Sequence, residues 1–141
     1  MRKVLISLWI LIGLISCEKN TDSSLINSGL IGTWEWIRTD GGIFFNIHES
    51  PSSTGNTYLL KIYVDHKIVI YENEIKVFSG VYKIEKKKSI YSGGMEDYLQ
   101  IIGEYQIQCL VISGIVSVDN NTLSISDNCY DGVGSSYVRH E

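Results

Sequence analysis

Alanine is absent from this 141-residue chain, and proline occurs once, at Pro51. The strongest helix former is therefore missing. Ile, Val, Thr, Tyr, Phe and Trp instead supply 52 residues, 21 of them isoleucine, which disfavours a helical bundle and favours an all-β domain. Cysteine is scarce as well: three residues are too few for a disulfide-dense scaffold. His48, His66 and His140 stand singly, without the ligand spacing of a zinc site. Basic residues are not in excess. Twelve Lys and Arg against sixteen Asp and Glu leave a formal net charge of −4, a poor basis for gripping phosphate backbones. Neither a nucleic-acid partner nor a metal or other cofactor is expected.

Catalytic signatures are also lacking. No Gly-x-Ser-x-Gly elbow and no His-Glu-x-x-His motif is present. The stretch from Asp127 to Gly132 has the glycine of a calcium loop. Cys129 occupies its third ligand position, however, and Val138 stands where the bidentate glutamate belongs. The chain is not expected to be an enzyme. The 11% aromatic and 44% hydrophobic fractions exclude intrinsic disorder, and the length is that of one domain.

At the N-terminus, Arg2-Lys3 precedes an apolar run of about twelve residues, positions 4–15. A permanent helical span needs about 20, so the run reads as a secretory signal. Leu14-Ile15-Ser16-Cys17 follows and resembles the bacterial lipobox. That resemblance implies cleavage after Ser16 and diacylglyceryl transfer to the Cys17 thiol, with acylation (palmitate or similar) of the new amino terminus. Positions 1–16 are then a lipoprotein signal peptide. Positions 17–28 are the lipidated cysteine and a polar, flexible tether, and positions 29–141 the folded domain. Glu18 rather than Asp follows the cysteine, which points to the outer membrane of the cell envelope, on either its periplasmic or its surface face.

Two cysteines remain outside the anchor. In an exported, oxidising setting Cys109 and Cys129 are most simply a disulfide, with two buried free thiols as the alternative. Closing the nineteen-residue loop between them would stabilise by roughly 3 kcal/mol.

Short β segments recur along the domain. Strands are expected at 33–38, 58–64, 68–71, 75–84, 98–102, 105–113, 115–118, 123–126 and 136–140, with a short apolar segment at 43–47. Residues 50–56 read as a loop, and Lys86-Lys87-Lys88 as a solvated turn. This spacing predicts a sandwich or a barrel.

Gly32-Thr33-Trp34 at the start of the first strand, with Arg139 in the last, resembles the Gly-x-Trp and terminal-Arg pair of lipocalin-like barrels. Closure of such a barrel brings its first and last strands together, seating a guanidinium on an indole face. Leu30-Ile31-Gly32-Thr33-Trp34, Gly80-Val81-Tyr82-Lys83-Ile84, and Asp131-Gly132 with Tyr137-Val138-Arg139 further resemble small bacterial lipocalin-like lipoprotein domains. The resemblance implies an antiparallel up-and-down barrel of about eight strands. Trp36, Tyr58, Tyr82, Tyr98 and Tyr105 are the candidate lining of its interior, either as a ligand site or as a filled core. Two functions are compatible: binding of a small apolar or amphipathic molecule at the barrel mouth, or docking of a filled barrel on another envelope protein.

Overall fold

In the computed structural model residues 29–105 and 107–141 are described. The expected signal peptide at 1–16, the tether at 17–28 and the lipidation residue Cys17 lie outside the described residues. Period-two alternation builds nine strands: β1 (Gly32–Gly41), β2 (Ile47–Glu49), β3 (Tyr58–Ile62), β4 (Lys67–Glu72), β5 (Ile75–Lys88), β6 (Met95–Ile102), β7 (Gly114–Asp119), β8 (Thr122–Ser126) and β9 (Val133–Arg139). All pair antiparallel in one sheet, which the β1–β9 ladder closes. Eight strands form the barrel wall. Three-residue β2 is the ninth and pairs only with Thr39–Gly41 of β1, as a flap at the mouth.

Tight turns set the hairpin registers. Asn73 and Glu74, between β4 and β5, both have positive φ, the twist that suits a two-residue hairpin. Long β5 serves two neighbours, pairing Ile75–Val81 with β4 and Val81–Lys88 with β6. The lysine run is accordingly strand, not turn. Lys86 pairs with Asp97 at 2.8 Å, and Lys87 sits 3.7 Å above the centre of the Tyr98 ring. A second correction concerns residues 105–113. The described residues among them form no strand, and β6 meets β7 through only two residue pairs, Tyr98 with Ile115 and Leu99 with Gly114. Residues 50–56 contain a one-turn helix, α1 (Pro51–Thr54), capped by Ser50, whose hydroxyl accepts from the Ser53 amide.

Inward positions are apolar around the whole wall. Trp34, Trp36, Leu60, Ile68, Ile70, Leu99, Leu123, Ile125 and Tyr137 have at most 1% of their surface exposed. At the closed end Trp34 lies opposite Arg139 in the β1–β9 ladder, and the guanidinium carbon sits 4.2 Å from the indole centroid. Trp34 Nε1 donates to the Leu30 carbonyl at 2.8 Å, and Arg139 donates to the carbonyls of Gly29 and Ile31. These bonds draw fully buried Leu30 across the barrel floor. A Cβ at Gly32 would collide with that guanidinium, and its φ of +150° is left to glycine.

Candidate binding site at the barrel mouth

Trp34 and Trp36 face inward, and simple alternation would turn Arg38 inward next. A bulge in the β1–β9 register between Trp36 and Arg38 prevents this. Ile37 and Arg38 both face out, and Thr39 turns in, 2% exposed. On the facing strand Ser135 is equally buried. These two hydroxyls capture residues 107–113 of the β6–β7 connection, which insert Leu110, Val111 and Ile112 into the core at the mouth.

The polar network there closes with one consistent set of donors. Thr39 Oγ1 has a single hydrogen, which goes to the Cys109 carbonyl at 2.6 Å. It then accepts from Trp36 Nε1 at 3.0 Å and from the Ser135 hydroxyl at 2.6 Å. Ser135 in turn accepts from the Val111 amide at 2.8 Å, and Tyr137 donates to the Val111 carbonyl at 2.7 Å. A segment without strand partners would otherwise bury unmet backbone groups. Three side chains take the place of a neighbouring strand.

The plug leaves a cleft of about 390 Å³ between itself and the β2 flap. Ile47, Leu110, Val111 and Val133 supply apolar wall, while Thr39, Glu49, Gln108 and Cys109 supply polar groups. Burial, with the Glu49 carboxylate alongside, pushes the Cys109 thiol up to about 11. Such a thiol is a poor nucleophile and a poor metal ligand at neutral pH. Among the described residues no group of three His, Cys, Asp or Glu side chains is placed to hold a metal ion. The arrangement suits non-covalent capture: a volume of small-ligand size, mostly apolar walls and a few polar groups at fixed positions.

The predicted lining residues divide into three groups. Trp36, Tyr58 and Tyr82 do point into the barrel but are at most 2% exposed, so they fill the core. Tyr58 packs edge-on against Trp36 and donates to Glu72 at 2.9 Å; burial and that carboxylate raise its pKa. Tyr98 alternates with inward Leu99 and therefore faces out, under Lys87. Tyr105 lies at the mouth, half-buried against Phe78. The residues that shape the cleft were not legible: Thr39 and Ser135 carry no motif, and the 110–112 run reads like any strand.

The expected disulfide is absent. Cys109 and Cys129 are both free. Cys109 was expected in a strand at 105–113. Cys109 instead lies in the plug, at φ +71°, with its carbonyl tied to β1. Cys129 lies exposed in the β8–β9 connection, its carbonyl accepting from the Tyr91 hydroxyl at 2.6 Å. Alkylation of the folded protein without reductant should modify Cys129 within minutes. Cys109 should lag by orders of magnitude, because roughly one in a thousand of its thiols is ionised at pH 8. Intact mass against time measures this, and cysteines that stay unlabelled after denaturation until reductant is added would restore the disulfide.

In comparison with known proteins, the chain matches no family model, no curated protein and no solved structure, so the reading of the site rests on its own residues.

Proposed function

We propose that this chain is an exported, lipocalin-like lipoprotein, anchored through lipid on Cys17 to the outer membrane, that binds a small apolar or amphipathic molecule without transforming it. The observation that carries the binding reading is the mouth cleft, about 390 Å³ with four apolar side chains in its wall. The ligand would enter between the flap and the plug. The barrel interior beneath is occupied by side chains.

Comparison of native and denaturing mass spectra of the full chain, purified after incubation with a membrane-lipid extract, tests the proposal. A defined mass released on denaturation is the expected result, lost in Leu110→Trp, where the larger ring fills the cleft. An apo spectrum from every extract would overturn it. The anchor has its own test: Cys17→Ala should release the protein from carbonate-washed membranes, and continued retention would refute acylation.

One observation favours a second reading, in which the filled barrel docks on another envelope protein. Phe44 and Phe45, in the 3-10 turn Ile43–Phe45, are 93% and 78% exposed. Rings displayed in this way are more typical of contact surfaces than of a free tip. Cross-linking in whole cells through position 44 would capture a discrete partner under this reading, and none under the first.

A further inference from the structure

A second concavity lies on the outer wall, apart from the mouth cleft and sharing only Val133 with it. It encloses about 330 Å³. Its floor is the outward face of β8 and β9, where Ser124 lies opposite Ser136 and Ser126 opposite Gly134. The floor is thus lined by hydroxyls. The hydroxyls of Ser124, Ser126 and Ser136 make no hydrogen bond to any described residue. The adjacent strand adds the Asp40 carboxylate, held at 3.1 Å from Arg38 Nε and 2.9 Å from His48 Nδ1.

Two aromatic rings rise from this floor, Phe45 from the β1–β2 connection and Tyr91 from the β5–β6 connection. They are 78% and 62% exposed. Both are held in place. Phe44 and Phe45 sit at φ +58° and +52°, a conformation costly for bulky residues. The Tyr91 hydroxyl is tied to the Cys129 carbonyl at 2.6 Å. Its loop is clamped by Asn128, which accepts from the Ile90 amide and donates to the Lys88 carbonyl, both at 2.9 Å. Strain and anchoring used to keep apolar rings in water point to contact with something outside the chain.

We infer that this groove is a saccharide-binding site. A pyranose ring presents C–H groups on its faces and hydroxyls around its edge. Aromatic faces match the first by dispersion and by attraction of polarised C–H to the ring's negative face. Unpaired serine hydroxyls, which both donate and accept, match the second, and the Asp40 carboxylate adds a strong acceptor. A purely apolar ligand would leave the serines desolvated and unmet. An anionic ligand would meet Asp40 on a domain that is net acidic. The neutral polyhydroxylated class satisfies every wall of the groove.

Saturation-transfer NMR on the full chain, in a detergent without a sugar headgroup, tests the assignment. The probes are glucose, galactose, mannose, N-acetylglucosamine and their disaccharides. Transfer to the ring C–H protons of at least one probe is expected, with a dissociation constant of about a millimolar or tighter. Phe45→Ala and Tyr91→Ala should each weaken binding about tenfold. Phe45 is exposed, so its loss should leave the thermal midpoint within about 2 °C; loss of Tyr91 also removes its bond to the Cys129 carbonyl and should lower it by about 5 °C at most. Ser124→Val with Ser136→Val should remove binding while leaving both rings in place. Leu110→Trp, which fills the mouth cleft, should leave saccharide binding unchanged, so the two sites stand or fall separately. Absence of transfer from the whole panel, or transfer unaffected by loss of both rings, would overturn the assignment.

Discussion

Trp34→Ala is expected to cost about 4 kcal/mol, a large share of a domain's usual 5–15 kcal/mol. Three losses combine at this position. The indole is fully buried, so its removal leaves a cavity at the closed end. Its Nε1 donor to the Leu30 carbonyl disappears, which frees the segment that seals the barrel floor. Arg139, 4.2 Å from the ring centroid, loses the face on which it is seated. Trp34→Phe should cost less, about 2 kcal/mol, because a ring still fills most of the space. Urea unfolding followed by circular dichroism gives both values. A loss under about 1 kcal/mol for the alanine variant would mean that the first and last strands are not closed through this pair.

Ser135→Ala should cost about 2–3 kcal/mol while removing a single oxygen atom. That oxygen accepts from the Val111 amide and donates to Thr39 inside the wall. Without it a buried backbone N–H has no acceptor, and one of the three side chains that hold the plug is gone. The local effect should exceed the global one. Hydrogen exchange at the Val111 amide is expected to accelerate well beyond the change that global stability dictates, because residues 107–113 have no strand pairing to fall back on. Ser135→Thr keeps the hydroxyl and should retain most of the protection. Unchanged exchange in the alanine variant would show that the plug is held by Leu110, Val111 and Ile112 packing alone.

Alternation was a sufficient guide wherever a strand lay against barrel neighbours on both sides without interruption. Tyr58, Leu60 and Ile62, and Leu123 and Ile125, take the inward positions that their spacing predicts. The same reasoning failed at Arg38, where a bulge shifts every later inward position of β1 by one. Nothing local in Ile37-Arg38-Thr39 announces the extra residue; beyond it β1 pairs with both β2 and β9. Residues 105–113 failed for a different reason. An apolar run buried by insertion into a barrel and an apolar run buried within a sheet look alike, since burial does not depend on which backbone groups supply the hydrogen bonds.

The cysteine expectation shows the same limit in covalent form. Compartment and the count of two remaining cysteines argued for a bond between Cys109 and Cys129, and both arguments are indifferent to direction. The plug carries Cys109 to the side of β1 and β2, while Cys129 sits beside Tyr91 in the β8–β9 connection.

Composition and local pattern by themselves determined the class and the antiparallel hairpins, and the resemblance to lipocalin-like barrels supplied the Trp34–Arg139 closure. These depend on side-chain shape, turn chemistry and the requirement that a closed sheet join its ends. Only the tertiary structure decided that the barrel is filled, that the candidate sites lie in a mouth cleft and an outer-wall groove, and which hydroxyls are spent inside and which remain outside. Those outcomes depend on contacts between residues as much as 96 positions apart, such as Thr39 with Ser135, and no local preference encodes which distant partner a hydroxyl will meet.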